Sequence, residues 1–222
     1  MRGVRIKMKR KIFLVVGVVM IVAAILILVL NKNDVSIDTV DRIYEPLESS
    51  GGIGEKVIGN PDTAKVVVYE YADYACTHCA EWNRKINELL DKYGDKIVLV
   101  FRFYDLKLSS NSSLAAKAAT AAQVQGYFEK YKDLLFGGQS VWMYVNNAKA
   151  REFLVEYFEK VSDGKGDTDK FKKDLDSEAV RKRVNFEHRM GEKAGLTGTP
   201  TFRIDGEKIE LDELVNILEE KL

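Results

Sequence analysis

The run Lys65-Val66-Val67-Val68-Tyr69-Glu70-Tyr71, followed five residues later by Cys76-Thr77-His78-Cys79, constrains this chain more than any other stretch. The run is β-branched and aromatic, and nearly continuously apolar. That pattern predicts a strand buried on both faces, as at the centre of a mixed or parallel sheet. Asn60-Pro61-Asp62 is a turn signal just before it. Cys79 to Tyr93 then reads as a helix, with Trp82, Ile86, Leu89, Leu90 and Tyr93 on one side and Gly94 as its stop. Ile97 to Tyr104 is a second strand. The unit is strand, helix, strand, and it sets Cys76 at the start of a helix that follows a strand.

Cys76 and Cys79 are the only two cysteines in 222 residues. The pair is therefore either a redox couple or half of a metal site. A redox dithiol needs one exposed sulfur of lowered pKa and a second within bonding reach. At a helix N-terminus the i and i+3 positions share a face. Unpaired N–H groups and the helix dipole there favour a thiolate on the first cysteine. His78, as a cation or hydrogen-bond donor, would favour it further. A zinc site wants four ligands, and two cysteines with two histidines are all the soft ligands present. His78 lies inside the cysteine spacing, and His188 lies far along the chain, so the redox reading is the stronger one.

Residues 112–194 read as a helical block. It starts alanine-rich at Ser113 to Ala122 and continues with stripes through Tyr127, Tyr131, Leu134 and Leu135, then Phe153, Leu154, Tyr157, Phe158 and Val161, then Phe171, Leu175, Val180, Val184 and Met190. Thr201 to Ile204 and Lys208 to Glu210 flank Asp205-Gly206, a strong hairpin signal, and a last helix runs from Leu211. His188 extends the Val180, Val184 stripe and reads as a core-edge residue. Trp82 and Phe202 read as core. Trp142, Met143 and Tyr144 read as packing rather than as the wall of a peptide groove, and Arg181-Lys182-Arg183 as a solvated helix face.

The ends say where the pair works. Residues 2–11 carry six basic side chains and no acidic one, and Ile12 to Leu30 is nineteen residues without a polar side chain. At about 1.5 Å per residue such a helix reaches roughly 28 Å, close to the thickness of a bilayer core. A cleavable signal has a shorter apolar core and then a small-x-small site. The expectation is an uncleaved transmembrane signal anchor at 12–30 contacting the lipid bilayer. Residues 1–11 are then cytoplasmic and everything after Leu30 is extracytoplasmic, in a compartment where a dithiol can rest as a disulfide. Residues 31–59, with Ser49-Ser50-Gly51-Gly52, read as a flexible tether to a domain at 60–222. The chain has 34 basic and 34 acidic residues, but beyond residue 11 the balance is 28 to 34. That argues against nucleic-acid binding, which wants a basic face.

Tyr69-Glu70-Tyr71-Ala72-Asp73-Tyr74-Ala75-Cys76-Thr77-His78-Cys79 resembles the active-site segment of the DsbA-like thiol–disulfide oxidoreductases, whose usual motif is Cys-Pro-His-Cys. Gly195-Leu196-Thr197-Gly198-Thr199-Pro200-Thr201-Phe202 is similar to that family's Gly-Thr-Pro-Thr-Phe segment, and the helical insert matches too. The resemblance covers about Gly59 to Leu222. It implies an α/β thioredoxin fold, a central mixed sheet flanked by helices with an inserted helical subdomain. It implies Cys76 as nucleophile, Cys79 as resolving thiol, and a cis Thr199-Pro200 bond beside them presenting backbone to an extended substrate. Glu70 matches a strand glutamate that assists proton transfer to the buried thiol; the alternative for it is a solvated strand carboxylate. Thr77 replaces the family's common proline, and that dipeptide tunes thiolate stability, so Thr77 and His78 leave the direction of electron flow open. Asp105 stands where the family often has proline. The resemblance also implies no cofactor beyond the Cys76–Cys79 disulfide, no metal, reduced exported proteins as substrates and a quinone-linked membrane partner for reoxidation. Residues 31–59 offer no dimerisation module, so a monomer is expected and an isomerase disfavoured. A reductase or isomerase on the same fold, or a non-catalytic binding module, are the alternatives.

Overall fold

Seven consecutive buried residues, Val66–Ala72, form strand β2 at the middle of the sheet. The computed structural model describes residues 50–222. Strand β1 is Lys56–Ile58, β3 is Ile97–Phe103, β4 is Thr201–Ile204 and β5 is Glu207–Ile209. The sheet order is β1-β3-β2-β4-β5. β2 runs parallel to β3 and antiparallel to β4, so the sheet is mixed. Period-2 alternation sends Val66, Val68 and Ala72 to one apolar core and Val67, Tyr69 and Tyr71 to the other. Glu70 therefore points with Val68 and Ala72, and its register partners are Phe101 on β3 and Phe202 on β4.

Helix α1, Thr77–Tyr93, buries Cys79, Asn83, Ile86 and Leu89 and ends at Gly94, whose φ of 55° suits a residue without a side chain. The insert contains α2 at Ser112–Val124, α3 at Phe128–Gly137, α4 at Gln139–Trp142, α5 at Asn147–Ser162, α6 at Thr168–Leu175 and α7 at Glu178–Lys193. α2 buries six alanines, so its neighbours approach closely from several sides. Asn146, Asp167 and Ser177 cap α5, α6 and α7 by accepting from the N–H groups of Lys149, Lys170 and Val180. Phe186 and Met190 of α7 cover the second sheet face. Asp205 and Gly206, with φ of 53° and 82°, close the β4–β5 hairpin. The last helix, α8, is Leu214–Lys221, starting three residues later than expected.

Three expectations are corrected. The tether reading of residues 31–59 fails at its C-terminal end: Lys56–Ile58 pair antiparallel with β3, and Lys56 is buried. The rest of that tether, residues 31–49, lies outside the described residues, as does the anchor at 12–30. Among the described residues no helix is long and apolar enough to cross a membrane. Arg183 is not part of a solvated face. It is buried, with Nε 2.8 Å from Glu187 Oε1 and a second ion pair to Glu55, because α7 turns it inward under β1. Trp142 and Met143 are buried, but Tyr144 is 79% exposed, so only two of that trio pack.

Candidate active site

Cys76 is the N-cap of α1, with an extended backbone that turns the chain out of β2. The turn is held by Asp73. Its backbone carbonyl accepts from Cys76 N–H at 3.0 Å, and its carboxylate accepts from Ala75 N–H and Leu106 N–H, each at 2.9 Å. Gln139 of α4 adds a clamp from the insert. Its Nε2 donates to Tyr74 O at 2.7 Å and Cys76 O at 2.9 Å. Sequence reasoning missed both residues. An Asp two places before Ala75 is a readable turn signal; Gln139 carries none, because its partners lie over sixty residues away.

Both cysteines are reduced. Cys76 keeps 7% of its surface and Cys79 none. A hydrogen bond from Cys79 is the main reason the Cys76 thiol falls from an ordinary 9.0 to about 5. Burial opposes it, while the Thr199 side chain and the N–H groups of Cys79 and His78 at the helix start reinforce it. Burial raises Cys79, and donation to Cys76 raises it further. The two sulfurs thus divide into a stabilised thiolate and a retained thiol.

The Thr199-Pro200 bond is cis, and the protonated Cys76 Sγ lies 3.4 Å from Thr199 O as donor. The structure therefore brings Cys76, Cys79 and the Thr199-Pro200 loop together. Thr77 and His78 are exposed at the mouth. Glu70 is fully buried beneath, not solvated, and neither of its carboxylate oxygens has a hydrogen-bond partner among the described residues. Burial pushes its carboxyl up to about 7, against an opposing pull from Lys132. Its charge is felt at Cys79. His188 is elsewhere: it stacks on Tyr104 at 5.0 Å and accepts from Asp105 N–H at 3.2 Å, as a core-edge residue does. Among the described residues, no three His, Cys, Asp or Glu side chains group as a metal ion would need.

A thioredoxin family model matches residues 52–220. The chain is 31% identical over 152 residues to a Na(+)/H(+) antiporter of Herminiimonas arsenicoxydans, covering 68% of this chain and 22% of that protein. It spans about a fifth of the length of the curated relatives it matches, so the transport in that name belongs to the whole relative. Among solved structures, MdbA of Actinomyces oris, described as a thiol-disulfide oxidoreductase, is 27% identical with a TM-score of 0.59, covering 72% of this chain and 79% of its own. BdbD of Bacillus subtilis in its oxidised form shares the fold at 22% identity, with a TM-score of 0.64 and coverage of 79% and 94%.

Proposed function

Because this chain belongs to the thioredoxin family, we propose that it is a thiol–disulfide oxidoreductase that introduces disulfides into exported proteins through Cys76 and Cys79. The observation that carries the reading is the split between the sulfurs: a Cys76 thiolate held at a helix start beside cis Pro200, above a fully buried Cys79 thiol. In the oxidised enzyme a substrate thiolate attacks Cys76, the Cys76–Cys79 bond breaks, and the electron pair leaves on Cys79, which takes a proton. A second substrate thiolate then attacks the substrate sulfur of the mixed disulfide and releases Cys76 as thiolate. The substrate loses two electrons and the enzyme disulfide gains them. Thr199 and Pro200 supply the backbone edge for the substrate, and His78 and Thr77 the mouth. The disulfide itself is the redox group, with no further cofactor.

The basic segment at 2–11 and the apolar run at 12–30 support an anchored, extracytoplasmic placement. Regeneration of the disulfide calls for an electron acceptor, for which a quinone-linked membrane oxidase is the proposed partner.

Equilibration with glutathione tests the direction. A potential of about −120 to −180 mV is the expected result, and one near roughly −270 mV makes the protein a reductase. Cys76→Ser tests the enzyme reading itself. It is expected to abolish disulfide formation in a reduced, unfolded substrate; unchanged formation would leave only a non-catalytic binding module.

A further inference from the structure

Helix α4 is a single turn, Gln139–Trp142, yet its bonds reach the active-site turn from two directions. At its start, the Gln139 amide nitrogen donates to Tyr74 O at 2.7 Å and to Cys76 O at 2.9 Å, which uses both of its N–H groups. At its end, Asn111 Nδ2 donates to Trp142 O at 2.8 Å and to Val145 O at 2.9 Å, and Ser109 Oγ donates to Met143 O at 2.8 Å. The loop that carries Ser109 leads back to the turn: Leu106 N–H donates to the Asp73 carboxylate at 2.9 Å, and Asp73 O accepts from Cys76 N–H at 3.0 Å. The Trp142 indole, bonded to Leu135 O at 3.0 Å, ties α4 to α3. A closed ring of bonds therefore leaves Cys76 through its carbonyl, passes through α4, and returns to Cys76 through its amide.

The Gln139 joint of that ring bears on the sulfur. Tyr74 O and Cys76 O converge on one nitrogen, and two carbonyl dipoles brought together at their negative ends repel unless a donor lies between them. Tyr74 has no exposed surface, so its oxygen has no water to stand in for the amide. Cys76 O is also the first acceptor of α1, from Ala80 N–H at 3.2 Å, so its direction sets the first turn of that helix. The His78 and Cys79 N–H groups that face the Cys76 sulfur belong to the same turn. The carbonyl and the sulfur are parts of one residue. A donor that draws negative charge from that oxygen weakens its repulsion of a thiolate beside it.

We propose that Gln139 is a positioning residue of the redox centre: its amide holds the Cys76 carbonyl and the first turn of α1, and so sets from the insert how strongly the reduced form keeps a Cys76 thiolate. The proposal rests on the thiol–disulfide reading above. No proton or electron passes through Gln139. It acts on the equilibrium between the Cys76–Cys79 disulfide and the dithiol by stabilising the reduced side. The oxidising power of the pair then depends on α4 as well as on Thr77 and His78 between the cysteines.

The test compares the full chain with Gln139→Met, which fills the same space without a donor, and Gln139→Glu, which matches the shape but whose carboxylate only accepts. Three quantities are measured: the Cys76 thiolate midpoint by ultraviolet absorbance, the equilibrium with glutathione at pH 7, and the melting temperatures of the reduced and oxidised forms. Gln139→Met is expected to raise the midpoint by about one unit and to shift the glutathione equilibrium about tenfold toward the protein disulfide, making a weaker oxidant. The melting temperature of its reduced form is expected to fall more than that of its oxidised form. Gln139→Glu is expected to move all three in the same direction and further. A residue that merely pinned α4 to the domain would lower both melting temperatures alike and leave the midpoint and the equilibrium at wild-type values; that outcome overturns the proposal. Gln139 is half-buried, so the variants are expected to fold, and if Gln139→Met does not, Gln139→Glu decides. A wild type that exchanges no disulfide with glutathione overturns the exchange reading, and this proposal with it.

Discussion

Titrated by its ultraviolet thiolate absorbance, the reduced protein is expected to show one ionisation with a midpoint near pH 5 and no second thiolate below pH 9. The first is Cys76, stabilised by donors that face it only in the fold; the second, Cys79, is withheld by burial. At pH 7 an ordinary thiol at 9.0 is about 1% ionised, so the shift raises the thiolate fraction roughly 100-fold. Nucleophilicity falls with basicity, and over four units this offsets roughly 40- to 100-fold. The two effects nearly cancel for attack by Cys76. What survives is its quality as a leaving group, and a good leaving group at the exposed sulfur favours handing a disulfide on. A midpoint between pH 8 and 9 would remove the basis for an oxidase.

The same shift has a stability signature. Between pH 5 and 9 the unfolded chain holds a proton on Cys76 that the folded chain has released. The reduced fold therefore gains stability as pH rises through that window and loses it as pH falls toward 5. Glu70 works the other way: raised from 4.5 to about 7, it holds a proton in the fold that the unfolded chain has lost, so its contribution is full below 4.5 and gone above 7. From pH 5 to 7 the two offset each other, and from 7 to 9 Cys76 acts alone. Melting curves of the reduced protein should be flat over the first interval and rise over the second. Cys76→Ala should remove the rise and expose the Glu70 decline. A Cys76→Ala curve parallel to wild type would contradict the assignment.

What could be read from the sequence was what is local. The apolar run at β2, the stripe of α1 with its Gly94 stop, and the Asp205-Gly206 hairpin each carry their reason within a few residues. What was missed depends on partners far along the chain. Lys56-Val57-Ile58 is too short to announce a strand beside a glycine-rich stretch, and it exists because β3 offers an edge and Glu187, 131 residues on, meets Lys56. Arg183 sits in a basic run that looks solvated, and only the approach of Glu55 and Glu187 makes its burial tolerable. Period 2 fixes the side of the sheet Glu70 takes, but not that α1 and α3 would seal it. Cys76, Cys79, Thr199 and Pro200 were legible because their motifs are contiguous. Gln139 and Lys132 come to the site from helices of the insert, whose placement no local pattern states.

Glu187→Ala is expected to destabilise the protein by about 3–5 kcal/mol, the usual cost of removing one partner from a buried ion pair. Glu187 stands at the centre of a buried ionic group at the β1 edge of the sheet. Oε1 meets Lys56 Nζ and Arg183 Nε, and Oε2 accepts from Phe103 N–H at 3.0 Å. Burial pulls the Lys56 ammonium below its ordinary value and Arg183 pulls it down further, while Glu187 resists. Without that carboxylate two buried cations face each other, and the Phe103 amide loses its acceptor. For a domain of this size the loss corresponds to roughly 10 °C in melting temperature. Lys56→Met combined with Glu187→Leu removes charge from both sides and is expected to recover about half of the loss, leaving about 1–3 kcal/mol for the unmet Phe103 N–H. Urea denaturation of the three proteins measures both numbers. A single variant that loses under about 1 kcal/mol, or a double variant no better than the single, would mean that packing rather than charge pairing joins β1 to α7. The groups that lower Cys76 are Cys79, Thr199 and the His78 N–H, none of them in this ionic group, so Cys76 should keep its midpoint near pH 5 in every folded variant.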